Sequence, residues 1–333
     1  MTIVLEAPQA QVNIEALSNQ KRKISVQPSD SSLFVLRRDF ETTYSLELIT
    51  SILKHKGAGY LCDEIARDED SSYLQEPLKY LILGHVAPSE LKNKRLLDFG
   101  CGSGSSTVHL ARMFPDTEIV GIELCEESLA IAKLRAKHYQ LNNVRFLLSP
   151  NGEELPDGIG EFDFIVLNAV YEHLLPHERV QILPQLWSLL RSQGMIFFNE
   201  TPHRYWLVET HTTNLPLINY LPDFLTLAIT RRFSARIAAD ESWELLLRKG
   251  IRGGTEQEII GIIENKCSQR PLLLEPHRLG MSDRIDLRYA SLVSLSVKQK
   301  AIKAILKTVK SLTGYTFAST IAFAIQKEKS RSH

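Results

Sequence analysis

One nine-residue segment limits what this chain can fold into more than any other. Leu96-Leu97-Asp98-Phe99-Gly100-Cys101-Gly102-Ser103-Gly104 joins a short apolar run, Arg95–Phe99, to a helical stretch at 105–114. Glycines at three alternate positions let the backbone turn sharply and approach a ligand closely, at the N-terminus of the helix that follows. A dinucleotide fold places GxGxxG at such a turn. Here Ser105 stands where the third glycine belongs counting from Gly100, and Thr107 counting from Gly102. An acid, Asp98, stands two residues before the first glycine instead. A ligand-binding strand–helix turn of another kind is expected.

The segment opens a regular alternation. β-rich runs are expected at 118–122, Val144–Leu148, 162–167 and 195–199, with helices at 105–114, 126–139 and 176–190 between them. Strands separated by single helices imply βαβ units and a parallel sheet, with right-handed crossovers placing helices on both faces. Upstream, residues 1–32 are polar and patternless and read as a loose N-terminal arm, and 33–94 read as a helical cover. Downstream the alternation stops. Residues 201–296 read as a mainly helical insertion or lid on the substrate side, and 297–333 as an amphipathic helix and a final strand.

Composition narrows the classes. With 39 basic and 39 acidic side chains the formal charge is zero, which argues against a nucleic-acid binder. That zero is a cancellation. Residues 116–178 hold twelve acids and four bases, and residues 298–331 hold eight bases and one acid. Cys62, Cys101, Cys125 and Cys267 are scattered without a CxxC pair, so neither a disulfide scaffold nor a zinc site is expected, and no metal. The N-terminus lacks a leader pattern, and Pro216, Asn219, Pro222 and Asp223 interrupt the most apolar later stretch. A cytoplasmic protein is expected.

Other polar residues fall near expected strand ends, where ligands bind in open α/β sheets. Glu123 ends the second strand and can accept both hydroxyls of a ribose, or merely open an acidic helix N-terminus with Glu126 and Glu127. Asn151 offers a donor and an acceptor to an adenine edge, and Gly152 a backbone N–H, although Ser149-Pro150-Asn151-Gly152 also suits a plain turn. Asn168 ends the fourth strand, just before Tyr171-Glu172-His173. Thr255 and Glu258 suit a capping box, with an anion site beside Arg252 as the alternative. Lys300, Lys303, Lys307 and Lys310 share one helix face, which is either solvated or suited to peripheral contact with anionic lipid or an acidic partner.

Taken together, the segments between residues 95 and 200 resemble the class I S-adenosylmethionine-dependent methyltransferases, in particular the ubiquinone-methyltransferase-like subgroup. Asp98 to Gly104 matches the family's acidic-glycine loop, Glu123 its ribose-binding acid, and Leu124 the residue lying against adenine. Asn151 stands where the family often has aspartate. Phe162-Asp163 and Glu172-His173 match its fourth-strand region. Ser192-Gln193-Gly194 departs from its usual Pro-Gly-Gly turn. The resemblance implies a Rossmann-like, doubly wound, mostly parallel sheet with S-adenosyl-L-methionine as cofactor. It also implies that Gly100, Gly102 and Gly104 line the methionine end, that Asp98 orients that end, and that the Asn168 carbonyl meets its amino group.

The reaction implied is methyl transfer to a small-molecule acceptor, with oxygen favoured. A hydroxyl acceptor calls for a general base, and His173, His211 and Glu200 are the candidates, with Glu172 and His203 nearby. Two other readings stay open. An NAD(P)-dependent oxidoreductase lacks its glycine pattern here. A catalytically silent cofactor-binding module that regulates a partner keeps the cofactor motifs but leaves the polar acceptor-side cluster without a role.

Overall fold

The structure is a computed structural model and describes residues 2–18, 20–29, 33–292 and 294–329. Its first surprise is the N-terminus. Four strands, β1 (Thr2–Ala7), β2 (Ala10–Ala16), β3 (Arg22–Pro28) and β4 (Asp39–Thr42), form an antiparallel sheet in that order. The expected loose arm over 1–32 is therefore corrected. Ala10, Val12, Ile14, Ile24 and Val26 alternate inward and are buried. They pack on helices α1 (Leu46–Lys56, capped by Ser45) and α2 (Leu61–Glu69) through Leu48, Ile49, Ile52, Leu61 and Ile65. Helix α3 (Gln75–Leu83) leads from this unit to the central sheet.

The central sheet is built from β5 (Arg95–Phe99), α4 (Ser105–Met113), β6 (Glu118–Glu123), α5 (Glu126–His138), β7 (Val144–Leu148), β8 (Phe162–Asn168), α6 (Pro176–Leu189) and β9 (Leu190–Pro202). These five strands are parallel neighbours in the order β7, β6, β5, β8, β9. The chain winds outward from β5 through β6 to β7, then returns to the other side of β5 as β8. The switch point lies between β5 and β8, and the crevice outside their carboxyl ends is where such sheets bind ligands. Buried aliphatic side chains cover both faces, as a parallel sheet requires.

After β9 come a two-stranded ribbon, β10 (Val208–Glu209) with β11 (Leu215–Pro216), then α7 (Asp223–Phe233), α8 (Trp243–Arg248), α9 (Glu256–Cys267), β12 (Leu272–Leu274), α10 (Arg284–Ala290), α11 (Val297–Thr313) and β13 (Thr320–Gln326). β13 inserts antiparallel beside β9 and carries β12 on its outer edge, completing seven strands. Two parts of the expected lid therefore belong to the core. α9 buries Ile259 and Ile263 in the same apolar cluster as α6, and β12 joins the sheet. The lysine face of α11 is not free either. Lys303 and Lys307 pair with Asp286, and Lys310 with Glu275, so these lysines tie α11 to the body. Among the described residues, no helix is long and apolar enough to cross a membrane. All four cysteines are free thiols.

Candidate functional site

The glycine loop leaves β5 at the switch point and enters α4 through Gly104. Its three glycines have φ of +70°, +55° and +85°, the left-handed region that only glycine enters cheaply. Their surroundings differ. A Cβ on Gly100 would stand 2.6 Å from Val170, and one on Gly104 would stand 2.6 Å from Ala132 of α5, whereas Gly102 faces open space. Gly100 lines a cavity of about 250 Å³ together with Phe99, Ile122, Glu123, Leu124, Ser149, Asn151, Gly152, Ala169, Val170, His173, Leu174 and Arg248. Gly104 is turned toward α5 instead, so its need for glycine is one of packing.

Glu123 ties the loop to the second strand. Its Oε2 accepts from the Gly102 N–H at 2.9 Å, and its Oε1 from the N–H groups of Leu124 and Cys125 at 2.9 and 3.1 Å. A carboxylate has about four lone-pair directions, so one remains for a ligand hydroxyl. Asp98 is buried beneath the loop. Its Oδ2 accepts from Ser106 Oγ at 2.7 Å and Thr107 Oγ1 at 2.6 Å. Its Oδ1 is buried with no partner among the described residues. Burial pushes the Asp98 carboxyl up to about 6, and the Glu123 charge adds to that, while the two hydroxyls pull it down.

Asn151 lies in the cavity wall, but its amide is committed locally. Oδ1 accepts from the Glu153 N–H at 2.8 Å and Nδ2 donates to Glu154 at 3.0 Å, an Asx turn. Gly152 leaves room for the Glu178 carboxylate, which receives a bidentate pair from Arg248 at 2.5 and 2.6 Å. Arg248 closes this side of the cavity from the insertion. Nothing in its sequence neighbourhood signalled that, because it lies in the least patterned third of the chain. Asn168 does not line the cavity directly. Its Oδ1 accepts from Asn199 Nδ2 at 2.7 Å, and the next residue, Ala169, is the wall.

The expected base candidates separate into two places. His173 borders the cofactor cavity with its side chain 42% exposed, its Nδ1 donates to the Arg248 carbonyl at 2.7 Å, and its Nε2 lies 3.8 Å from Glu172 Oε1. The His211 ring lies 5.5 Å from it. Desolvation, helped by His173 and Arg236, pushes His211 down to about 4. Glu172, fully buried, accepts from Thr201 at 2.9 Å through Oε2, while its Oε1 has no hydrogen-bond partner among the described residues and lies 3.8 Å from His173 Nε2. Gly250, at φ +87°, packs against both His211 and Glu172, where a Cβ would stand about 3 Å from each. Glu172, His173 and His211 each bring one ligand atom within 4.8 Å of the others, a juxtaposition that scattered sequence positions concealed.

Glu200 lies elsewhere. Asn199 and Glu200 together oppose Ala322 where the β9–β13 register slips, and Glu200 has φ +59°. Such a bulge re-aims a side chain. Here Glu200 lines a second cavity of about 500 Å³, with Asn199, Trp206, Arg288 and Tyr289 among its walls. Desolvation raises its carboxyl, against Arg288. His203 turns away, with Phe317 5.4 Å from its ring. The capping expectation at α9 holds for Thr255, whose hydroxyl accepts from the Glu258 N–H, but the Glu258 side chain instead receives Tyr171 and Arg179. Arg252 is bound to Asp223, so it leaves no anion site there.

These residues fit S-adenosylmethionine. The loop brings Gly102 open to the crevice, an orphaned Asp98 oxygen lies beneath it, Glu123 has a lone pair to spare, and Phe99, Ile122 and Leu124 give apolar walls. Residues 96–194 match the sequence pattern of a methyltransferase domain family. A ubiquinone biosynthesis O-methyltransferase of Acinetobacter baylyi is 29% identical over 118 residues, 34% of this chain and 48% of that protein. An uncharacterized protein of Rickettsia prowazekii is 30% identical over 122 residues, 37% of this chain and 48% of its own. The chain thus spans about half the length of the curated relatives it matches. Among solved structures, PKMT2 from Rickettsia typhi aligns over 79% of this chain and 53% of its own, at 14% identity and a TM-score of 0.45. Residues 96–194 thus carry a methyltransferase domain like that of the class I S-adenosylmethionine-dependent enzymes, and S-adenosylmethionine is the cofactor that its site fits.

Proposed function

We propose that this protein transfers a methyl group to an oxygen of a small-molecule acceptor. The observation that carries the reading is the single cavity at the switch point, which gathers the glycine loop, Glu123, Leu124, Asn151, Gly152 and His173. The cofactor, when bound, supplies an electrophilic methyl on a sulfonium, and the protein's part is alignment. Glu123 holds the ribose and Leu124 covers the adenine. Asn151 and Gly152 close the adenine edge. Asp98, Gly100 and Gly102 hold the methionine end, with the wall at Ala169 just after Asn168 beside it, and Gly104 holds the loop against α5. A buried carboxylate with an unused oxygen suits a ligand ammonium.

Oxygen is favoured by the acceptor side. His173 borders the cofactor cavity, with Nδ1 on the Arg248 carbonyl and Nε2 3.8 Å from Glu172 Oε1, and is the ring assigned to take the hydroxyl proton. His211 beside it stays neutral at neutral pH and adds no opposing charge. Glu200 lines a second cavity of about 500 Å³, which offers room for the acceptor body. The O-methyltransferase name of the Acinetobacter relatives supports the same choice. The test is release of S-adenosylhomocysteine from S-adenosylmethionine across a panel of phenols, aliphatic alcohols, carboxylic acids and amines. Turnover confined to hydroxyl acceptors, and lost in His173→Ala, supports the reading. Turnover confined to amines overturns the oxygen assignment. Tight NAD(P) binding without S-adenosylmethionine binding overturns the class of reaction, and no turnover with any acceptor leaves the silent module in its place.

A further inference from the structure

Arg135 is a fully buried arginine that touches neither cavity, yet it ties the cofactor loop to two other parts of the molecule. It stands on α5, one turn beyond the Ala132 that packs on Gly104. Nη1 donates to the Ser103 carbonyl at 2.8 Å, to Ser103 Oγ at 2.7 Å and to Ser105 Oγ at 2.5 Å. Nη2 donates to the Glu64 carbonyl at 2.5 Å and to Glu64 Oε2 at 3.2 Å, and Nε donates to Tyr44 Oη at 3.2 Å. The Ser103 hydroxyl closes the ring by donating to Glu64 Oε2 at 2.6 Å, and Tyr44 donates to Asp68.

Two residues of the glycine loop are thus held from opposite sides. Glu123 grips the Gly102 N–H from β6, and Arg135 grips the Ser103 carbonyl from α5. Left-handed turns at 100, 102 and 104 have alternatives of similar energy in an unrestrained glycine loop. Anchors on both sides remove those alternatives before the ligand arrives, so that the ordering cost does not fall on binding. The remaining donors of the guanidinium fork go to α2 and to Tyr44 at the start of α1. Burial works against the Glu64 carboxylate, but Arg135, Arg67 and the Ser103 hydroxyl outweigh it and hold its pKa below the ordinary range. A buried arginine with this many charged hydrogen bonds costs much to rearrange.

We propose that Arg135 is a positioning residue for the cofactor, which with Glu64 and Ser103 sets the shape of the glycine loop and makes the N-terminal unit part of the cofactor site. The proposal rests on the methyltransferase reading. Its test is calorimetric titration of the full chain with S-adenosylhomocysteine, wild type beside Arg135→Lys, Glu64→Gln and Ser103→Ala, with thermal unfolding of each. Lysine keeps the charge but cannot fork to the loop and α2 at once.

The expected result is an affinity at least tenfold weaker in Arg135→Lys, and a smaller loss in the other two, with binding stoichiometry near one in each. An arginine that only supports the fold gives the opposite split. Melting temperature and stoichiometry fall, while the dissociation constant of the folded fraction stays at the wild-type value, and that overturns the proposal. If Arg135→Lys does not fold, Ser103→Ala decides, since unchanged affinity in a cooperatively melting Ser103→Ala protein also overturns it. A wild-type chain that binds no S-adenosylhomocysteine overturns the methyltransferase reading itself, and this proposal with it.

Discussion

Glu123→Ala tests the cofactor site most directly. The substitution removes the acceptor for three backbone N–H groups, of Gly102, Leu124 and Cys125, and, on the proposed placement of the cofactor, the acceptor for its ribose. Leu124 and Cys125 are exposed, so water replaces the lost carboxylate there and their loss costs little. Gly102 and the ribose are different, because each bond is charge-assisted and one of them exists only in the complex. A hydrogen bond to a charged group contributes about 1.5–3 kcal/mol. One such bond lost in the complex therefore weakens S-adenosylhomocysteine binding by roughly ten- to 150-fold, at about 1.4 kcal/mol per tenfold. Calorimetric titration measures it. Glu123→Gln, which keeps one acceptor oxygen, is expected to fall between alanine and wild type. Wild-type affinity in both variants would refute the placement of the ribose at the end of β6 and the reasoning built on it.

Three further expectations follow from the same geometry. Gly100→Ala forces a Cβ to 2.6 Å from Val170 at φ +70° and is expected to destabilise the fold by about 2–4 kcal/mol, whereas Gly102→Ala meets open space and costs only about 1–2 kcal/mol of left-handed strain while blocking ligand approach; equal melting temperatures for the two would contradict this. Asp98 ionises with a folded pKa raised to about 6 against an ordinary 3.8, so the folded protein holds its proton more tightly and gains stability as pH falls from about 6 to 3.8. Urea unfolding should show this gain in wild type and not in Asp98→Asn, and identical pH profiles would remove the buried-acid assignment. His173→Ala is expected to lower turnover by about 10²–10⁴ with cofactor affinity unchanged, and an equal loss of both would place His173 in the cofactor site rather than at the acceptor.

Much of this was readable along the chain because local physics wrote it there. Strands buried on both faces are near-continuous apolar runs, so β5, β6, β8 and β9 stand out, and a turn that needs positive φ at alternate positions needs glycines. The N-terminal sheet escaped because its outward positions are polar and its turns use Gln9 and Gln20 at φ +63° and +62° rather than the Asn-Gly or Asp-Gly pairs that mark a hairpin. The lysine face of α11 looked solvated because its carboxylate partners, Asp286 and Glu275, lie on other elements.

The sequence by itself therefore determined the cofactor half: the order of strands, the loop, and the acid at the end of the second strand. All of these are set by backbone conformation and by spacing within about thirty residues. Tertiary structure alone decided the rest. It brought Arg248 and His211 from the insertion to His173, put Glu200 in a bulge facing a different cavity, and buried Arg135 between the loop and the N-terminal unit. Those contacts join residues from about 30 to more than 120 positions apart, and their energies come from burial and from charges meeting across elements. Neither periodicity nor motif spacing records that.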